Sequence, residues 1–379
     1  MARAVVDRDG SVATAAKSVG VAAKRARRDT TIDLMRGGCI LSMLVSHVAE
    51  ETRAFQLTHP LKFVDGAFGF VLFSGLVLGI VHRRLINRTG SIQQSRQKLT
   101  KRVGVLYFTH LITLGAALTM RAASGRPSHL PTFTDLGGFW RAMFDILTLK
   151  IQPENYDILA MYIFLLAGAI GVFALLKRGQ VWIVAVASLA LYVASQLVHQ
   201  GIQRASYAWH IFGAPWNLGA WQALFVLGLV VGWYWETEIK ALPATTKKAI
   251  VGVGIALTAA LVVLAATKPL YDNGLGLGFD KQHGGPVVFA LAIGFFLTAY
   301  VALNAMHLPE RFTAVFEMVG RHSLGCVVCI LVGDAFFEML KFDQSVAKKY
   351  AATVVVLVAM LIVSKLADHR PLLKKLRRA

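Results

Sequence analysis

The stretch T31-I-D-L-M-R-G-G-C-I-L-S-M-L-V-S-H47 has the composition of an apolar helix, yet it carries Asp33, Arg36 and His47. A helix advances about 100° per residue, which brings these three side chains within roughly 60° of one another on one face. Asp33 and Arg36 can pair across one turn, and Arg36 can also snorkel toward the nearer interface. His47 falls about 16 Å beyond Arg36 at about 1.5 Å of rise per residue. A guanidinium can hold phosphate oxygens bidentately, and an imidazole titrates close enough to neutrality to take a proton from a hydroxyl. One helix that presents the first near the cytosol and the second deeper has the layout wanted for drawing in an acyl-CoA from the cytosolic side.

Other ionisable residues interrupt apolar runs: Asp65, Asp157 just after Tyr156, Arg321 and His322 within G320-R-H-S-L324, and Asp334. A charge at the centre of a bilayer costs a few kcal/mol even on the lenient insertion scale, so each is a candidate functional group. Three cysteines, Cys39, Cys326 and Cys329, lie inside apolar segments and are expected to serve packing.

The elements that must position these groups follow from composition. Of the 379 residues, 56% are hydrophobic and 16% charged, a balance that excludes an ordinary soluble domain. Apolar runs long enough to cross the hydrocarbon recur at 31–49, 64–82, 103–120, 157–176, 181–198, 215–235, 249–267, 287–305, 314–333 and 349–367. The expected fold is all-α: a polytopic integral membrane protein of about ten transmembrane helices. The net charge of +19 does not imply nucleic acid, because the basic residues collect in loops on one side. With the N-terminus inside, the inside segments hold 26 Lys and Arg against 12 outside, which orients both termini to the cytoplasm. The loop over 82–102 and the basic tail are expected against anionic headgroups.

The chain divides into a basic cytoplasmic leader over 1–30, a single membrane domain over 31–367 and a basic tail over 368–379. Within L136-G-G-F-W-R-A-M-F-D-I-L-T-L-K150, Phe139, Trp140, Met143, Phe144 and Leu147 recur at helical spacing while Arg141 and Asp145 face away. That pattern predicts a helix in the outer interface.

The opening R-D-x-x-I-D-x-x-R-G with its later His, followed by F63-V-D-G-A-F-G-F-V-L-F-S-G-L-V-L-G79, resembles the OpgC-type membrane succinyltransferases that decorate osmoregulated periplasmic glucans. Y156-D-I-L-A-M-Y162, W216-N-L-G-A-W-Q-A-L-F-V-L-G228 and G320-R-H-S-L324 are similar to further motifs of that family, in the same order. The resemblance implies a wider group of transmembrane acyltransferases in which an Arg and a His with this spacing mark the acyl-CoA and catalytic region. It implies His47 as catalytic base with Asp65 or Asp157 orienting it, and Arg36, Asp33, Arg321 and His322 at the acyl-CoA. Asn217, Trp221, Gln222 and Tyr156 would line the acceptor site. Two positions depart from the family pattern: Phe68 stands where it has Glu, and Ile330 near where it offers a His.

The activity so implied is transfer of an acyl group, succinyl first, from cytosolic acyl-CoA to a sugar hydroxyl of a periplasmic glucan, without a metal. The location implied is the bacterial inner membrane. The partners are the lipid bilayer and the glycan acceptor, not nucleic acid, and a homodimer is an allowed assembly. The competing readings are a solute transporter or flippase, and an inactive paralogue that keeps the fold.

Overall fold

The computed structural model describes residues 29–59, 64–125, 130–150, 153, 155–202, 217–266, 280–281, 284–306, 308–341 and 345–376. The expected leader falls almost wholly outside them. The chain separates into units 1–30 and 31–379, and the helical bundle with its cavities belongs to the second.

The described residues form helices and no strand. In chain order these are α1 (Thr30–Val48), α2 (Arg53–Thr58), α3 (Gly66–Thr89), α4 (Gln93–Ser124), α5 (Phe139–Leu147), α6 (Asp157–Lys177), α7 (Val181–Ile202) and α8 (Leu218–Trp233). A π-helical turn, Trp235–Ile239, precedes α9 (Ala244–Ala266), α10 (Pro286–Ala305), α11 (Glu310–Arg321), α12 (Ser323–Met339) and α13 (Val346–Leu376). Five of them, α3, α4, α6, α10 and α13, are long and apolar enough to cross a membrane, and α11 with α12 makes six if that bent pair counts as one span. The protein is therefore a multi-pass membrane protein.

Local sequence sets the ends of these helices. Asp65 caps α3 by accepting the Ala67 amide at 2.9 Å, and Asn217 caps α8 by accepting that of Ala220 at 3.3 Å. Pro286 opens α10, where its missing amide hydrogen costs nothing. Gly90 closes α3 in the left-handed conformation at φ 65°.

Two expectations need correction. The expected span over 314–333 is not one helix, because α11 and α12 meet at His322 with a bend of 84°. The physical reason lies in Gly320 and Gly37: a Cβ on Gly320 would strike the backbone carbonyl of Asp33, and one on Gly37 that of Phe316. Bare backbones thus press α11 onto α1, and the bend lets Arg321 and His322 leave the helix interior instead of standing as charges in mid-span. The second correction concerns α4, which begins at Gln93 rather than near 103, so Lys98, Lys101 and Arg102 ride on a helix and not in a loop.

The most extensive helix pairing joins α3 to α8. Here a Cβ on Gly75 or Gly79 would meet the carbonyls of Phe225 and Leu229, and one on Gly228 or Gly232 those of Leu72 and Leu76. Two small-xxx-small seams face each other in parallel, the arrangement that lets membrane helices gain close packing where no hydrophobic drive separates protein from lipid.

Gly228→Ala is expected to destabilise the protein by about 1–3 kcal/mol through overpacking. Gly115→Ala, where a Cβ meets nothing within 4 Å, should be neutral or slightly stabilising. Thermal denaturation of the two purified variants in detergent measures the contrast.

Candidate functional site

Arg36 is buried in α1, with Nη1 3.8 Å from Asp33 Oδ1 and Nη2 donating to Ser323 Oγ at 2.8 Å. Arg36 keeps the Asp33 pair and does not snorkel: the guanidinium turns inward to the start of α12. That contact leads to a cavity of about 620 Å³ at the α11–α12 break. Its wall brings together Lys98, Lys101 and Arg102 from α4, Arg321, His322 and Ser323 from the break, and apolar residues of α13. No carboxylate is among the lining residues, and Ser323 opens a helix whose dipole adds positive potential at its N-terminus. His322 Nε2 lies 2.8 Å from Asp368 Oδ1 on α13, just outside the wall.

The opposite ends of α1 and α13 fix the direction of travel. Lys349, near the start of α13, donates from Nζ to the Glu50 carbonyl at 2.8 Å, beyond the end of α1. Since α13 runs back to Asp368 beside His322, α1 and α12 rise from the basic cavity in the same direction. His47 is half-buried in the last turn of α1, at the far end of that rise. Asp157 is buried in the first turn of α6, and Tyr156 beside it donates its hydroxyl to the Leu331 carbonyl at 2.7 Å.

Asp65 sits elsewhere. It pairs with Lys281 at 2.6 Å and lines a second cavity, of about 240 Å³, with Leu34, Met35, Gly38, Cys39 and Ser42 of α1. Those α1 residues form a different helical stripe from Asp33, Arg36 and His47, so the structure separates Asp65 from the His47 face. His59 adjoins the cavity after α2. Its burial pushes the imidazole pKa below its ordinary value, opposed first by the hydrogen bond to the Phe55 carbonyl and then by Asp65, with Lys281 adding to the lowering and Glu50 opposing it.

The remaining candidates hold helices together. Asn217 Nδ2 donates to the Ser195 carbonyl at 3.4 Å, and Gln222 donates to the Ser188 carbonyl at 2.8 Å while accepting from Ser188 Oγ at 2.9 Å. These bonds staple α8 to α7, and Gln222 faces an apolar groove there. Trp221 is fully buried, its ring 4.6 Å from that of Phe68, and both rings lie 5.9 Å from Phe289. Phe68, the departure from the family pattern, is thus the centre of an aromatic cluster.

Sequence reasoning missed Lys98, Lys101, Arg102, Ser323, Ser42, His59 and Lys281. For the three α4 residues the signal was present: spacings of three and four set all three on one side of a helix. Lys281 reaches Asp65 across more than two hundred residues of chain, and no local pattern announces it.

The described residues thus define a multi-pass helical bundle with a cationic cavity joined to a buried arginine at one end. The family model described as OpgC protein matches residues 28–371, and the chain belongs to that family, which suggests a transferase of the glucan-modifying type. No curated protein matches the chain.

The aromatic cluster predicts the outcome of restoring the family residue. Phe68→Glu should lose the ring packing, worth about 3–5 kcal/mol, and bury a carboxyl as well. Phe68→Leu should lose less. The melting temperature and the yield of monodisperse protein distinguish them.

Proposed function

We propose that the protein is an O-acyltransferase that moves an acyl group, succinyl first, from cytosolic acyl-CoA to a sugar hydroxyl of a periplasmic or extracytoplasmic glucan. The observation that carries this reading is the cavity with five basic side chains at the α11–α12 break, linked through Ser323 to buried Arg36. An acyl-CoA has a diphosphate, a further phosphate and a long thin arm. Lys98, Lys101, Arg102, Arg321 and His322 suit the phosphates. On this reading the arm points from the cavity toward His47, roughly 16 Å beyond Arg36 by helical rise, past Ile40 and Leu44, which are packed in the core. Ten spans with both termini cytoplasmic would put the cavity on the CoA side of an inner membrane, an orientation that the 26-to-12 bias in Lys and Arg supports. In that frame the exposed Phe139, Trp140, Phe144 and Leu147 of α5 lie in the outer interface.

In this mechanism His47 takes the proton of the sugar hydroxyl as its oxygen attacks the thioester carbonyl. The C–S bond breaks, and the CoA thiolate leaves and is protonated. Of the two carboxylates offered to orient His47, Asp157 and Asp65, the second is already engaged by Lys281 and by the cap of α3.

Charge reversal of Lys98 and Arg102 together should weaken acyl-CoA binding by about two orders of magnitude, since a hydrogen bond to a charged group is worth about 1.5–3 kcal/mol. Wild-type binding should weaken as salt rises. Calorimetry with succinyl-CoA in detergent reads both; binding unmoved by the reversal would remove the CoA assignment. His47→Asn should lower turnover about 10²- to 10⁴-fold with acyl-CoA affinity unchanged. Turnover above about a tenth of wild type, more than loss of a general base allows, would make His47 a packing residue.

A further inference from the structure

The cavity beside Asp65 takes no part in the chemistry at His47, yet it contains an arrangement suited to covalent catalysis. Ser42 lines it, and Ser42 Oγ lies 3.4 Å from His59 Nε2 and 3.4 Å from the Thr58 carbonyl. His59 Nδ1 lies 3.1 Å from the Phe55 carbonyl, an acceptor only, so Nδ1 carries the hydrogen and Nε2 presents its lone pair to Ser42. Thr58 Oγ1 approaches the same Nδ1 at 3.0 Å. The imidazole stacks on Phe55 at 4.2 Å and 16°, which fixes its plane. A nucleophile, a base within reach and a third group orienting that base form the recurring pattern of an activated hydroxyl, and the separation is commonly longer before substrate arrives. The wall also has room at Gly38, where a Cβ would meet nothing within 4 Å.

We propose that Ser42 and His59 form an acyl relay, in which Ser42 accepts the acyl group from the thioester and passes it to the acceptor hydroxyl. This rests on the acyl-transfer reading and replaces direct attack on the thioester at His47 with two steps on the opposite stripe of α1. Ser42 lies six residues beyond Arg36, about 9 Å along α1. In the first half-reaction Ser42 Oγ bonds to the acyl carbon, His59 Nε2 takes its proton, and the C–S bond breaks. The leaving thiolate recovers that proton as free CoA. In the second, the sugar hydroxyl attacks the ester carbon and gives its proton to Nε2, the Ser42 Oγ–C bond breaks, and Ser42 regains the proton.

The test uses the full-length protein in detergent with succinyl-CoA labelled in the succinyl group, quenched in acid and mapped by mass spectrometry. The label should be an ester on Ser42, released by hydroxylamine. It should be absent in Ser42→Ala and form at least about 10²-fold more slowly in His59→Gln, the usual worth of a positioned base. Both variants should bind succinyl-CoA as wild type does. Gly38→Leu, which fills the cavity, should also block labelling without loss of the folded protein. Protein that binds succinyl-CoA and turns over with no label on Ser42, or with the label on Cys39, overturns the relay and leaves the acyl-transfer reading standing. Protein that neither binds succinyl-CoA nor releases CoA overturns both.

Discussion

A guanidinium buried among apolar helices must be paired, because the desolvation of a lone charge exceeds what packing returns. Arg36 meets that demand with Asp33 on its own helix and Ser323 across the interface. Ser323 can be there only because the chain bends at His322, and the bend needs α11 to lie against α1 with no side chain between Gly37 and Gly320. The broken helix, the buried arginine and the basic cavity are therefore one construction. Removing the close backbone approach would take Ser323 from Arg36 and the break from the cavity wall together.

The same construction sorts charge by depth. Basic side chains gather at the end of the bundle where α1 begins, on the first turns of α4 and at the break, whereas the apolar middle is held by glycine seams and stacked rings. Buried polar groups outside that end are often spent on joining helices, as Asn217 and Gln222 are to α7 and Tyr156 is to α12. This leaves two polar stripes on α1, one carrying Arg36 and His47 and the other carrying Ser42 beside His59. A single helix thus lines the cavity beside Asp65 and reaches the basic cavity through the Arg36–Ser323 bond.

Phe68 shows how a departure from a family pattern is absorbed. Where the pattern has a carboxylate, this chain has a ring stacked on Trp221 and edge-on to Phe289, with no exposure to solvent. The aromatic partners make the position self-consistent, so the departure reads as a repacked interior and not as an empty charge site. Trp221, in turn, is held as part of that interior.

The sequence by itself determined the class of protein, the helical architecture and the shared polar face of Asp33 and Arg36 on α1, because hydropathy and helical period are local properties that survive into the fold. Most expected spans fall on helices, and Asp33 and Arg36 do pair. The family, too, was legible from motif order, and the match over residues 28–371 agrees with it. The tertiary structure decided which polar residues meet. Only the bend at His322 turns Arg36 onto Ser323, only the early start of α4 puts Lys98 and Arg102 into the same cavity, and only the fold brings Lys281 to Asp65 and His59 to Ser42. Such pairings depend on helix rotation and on backbone contacts between segments far apart in the chain, and one-dimensional patterns carry neither.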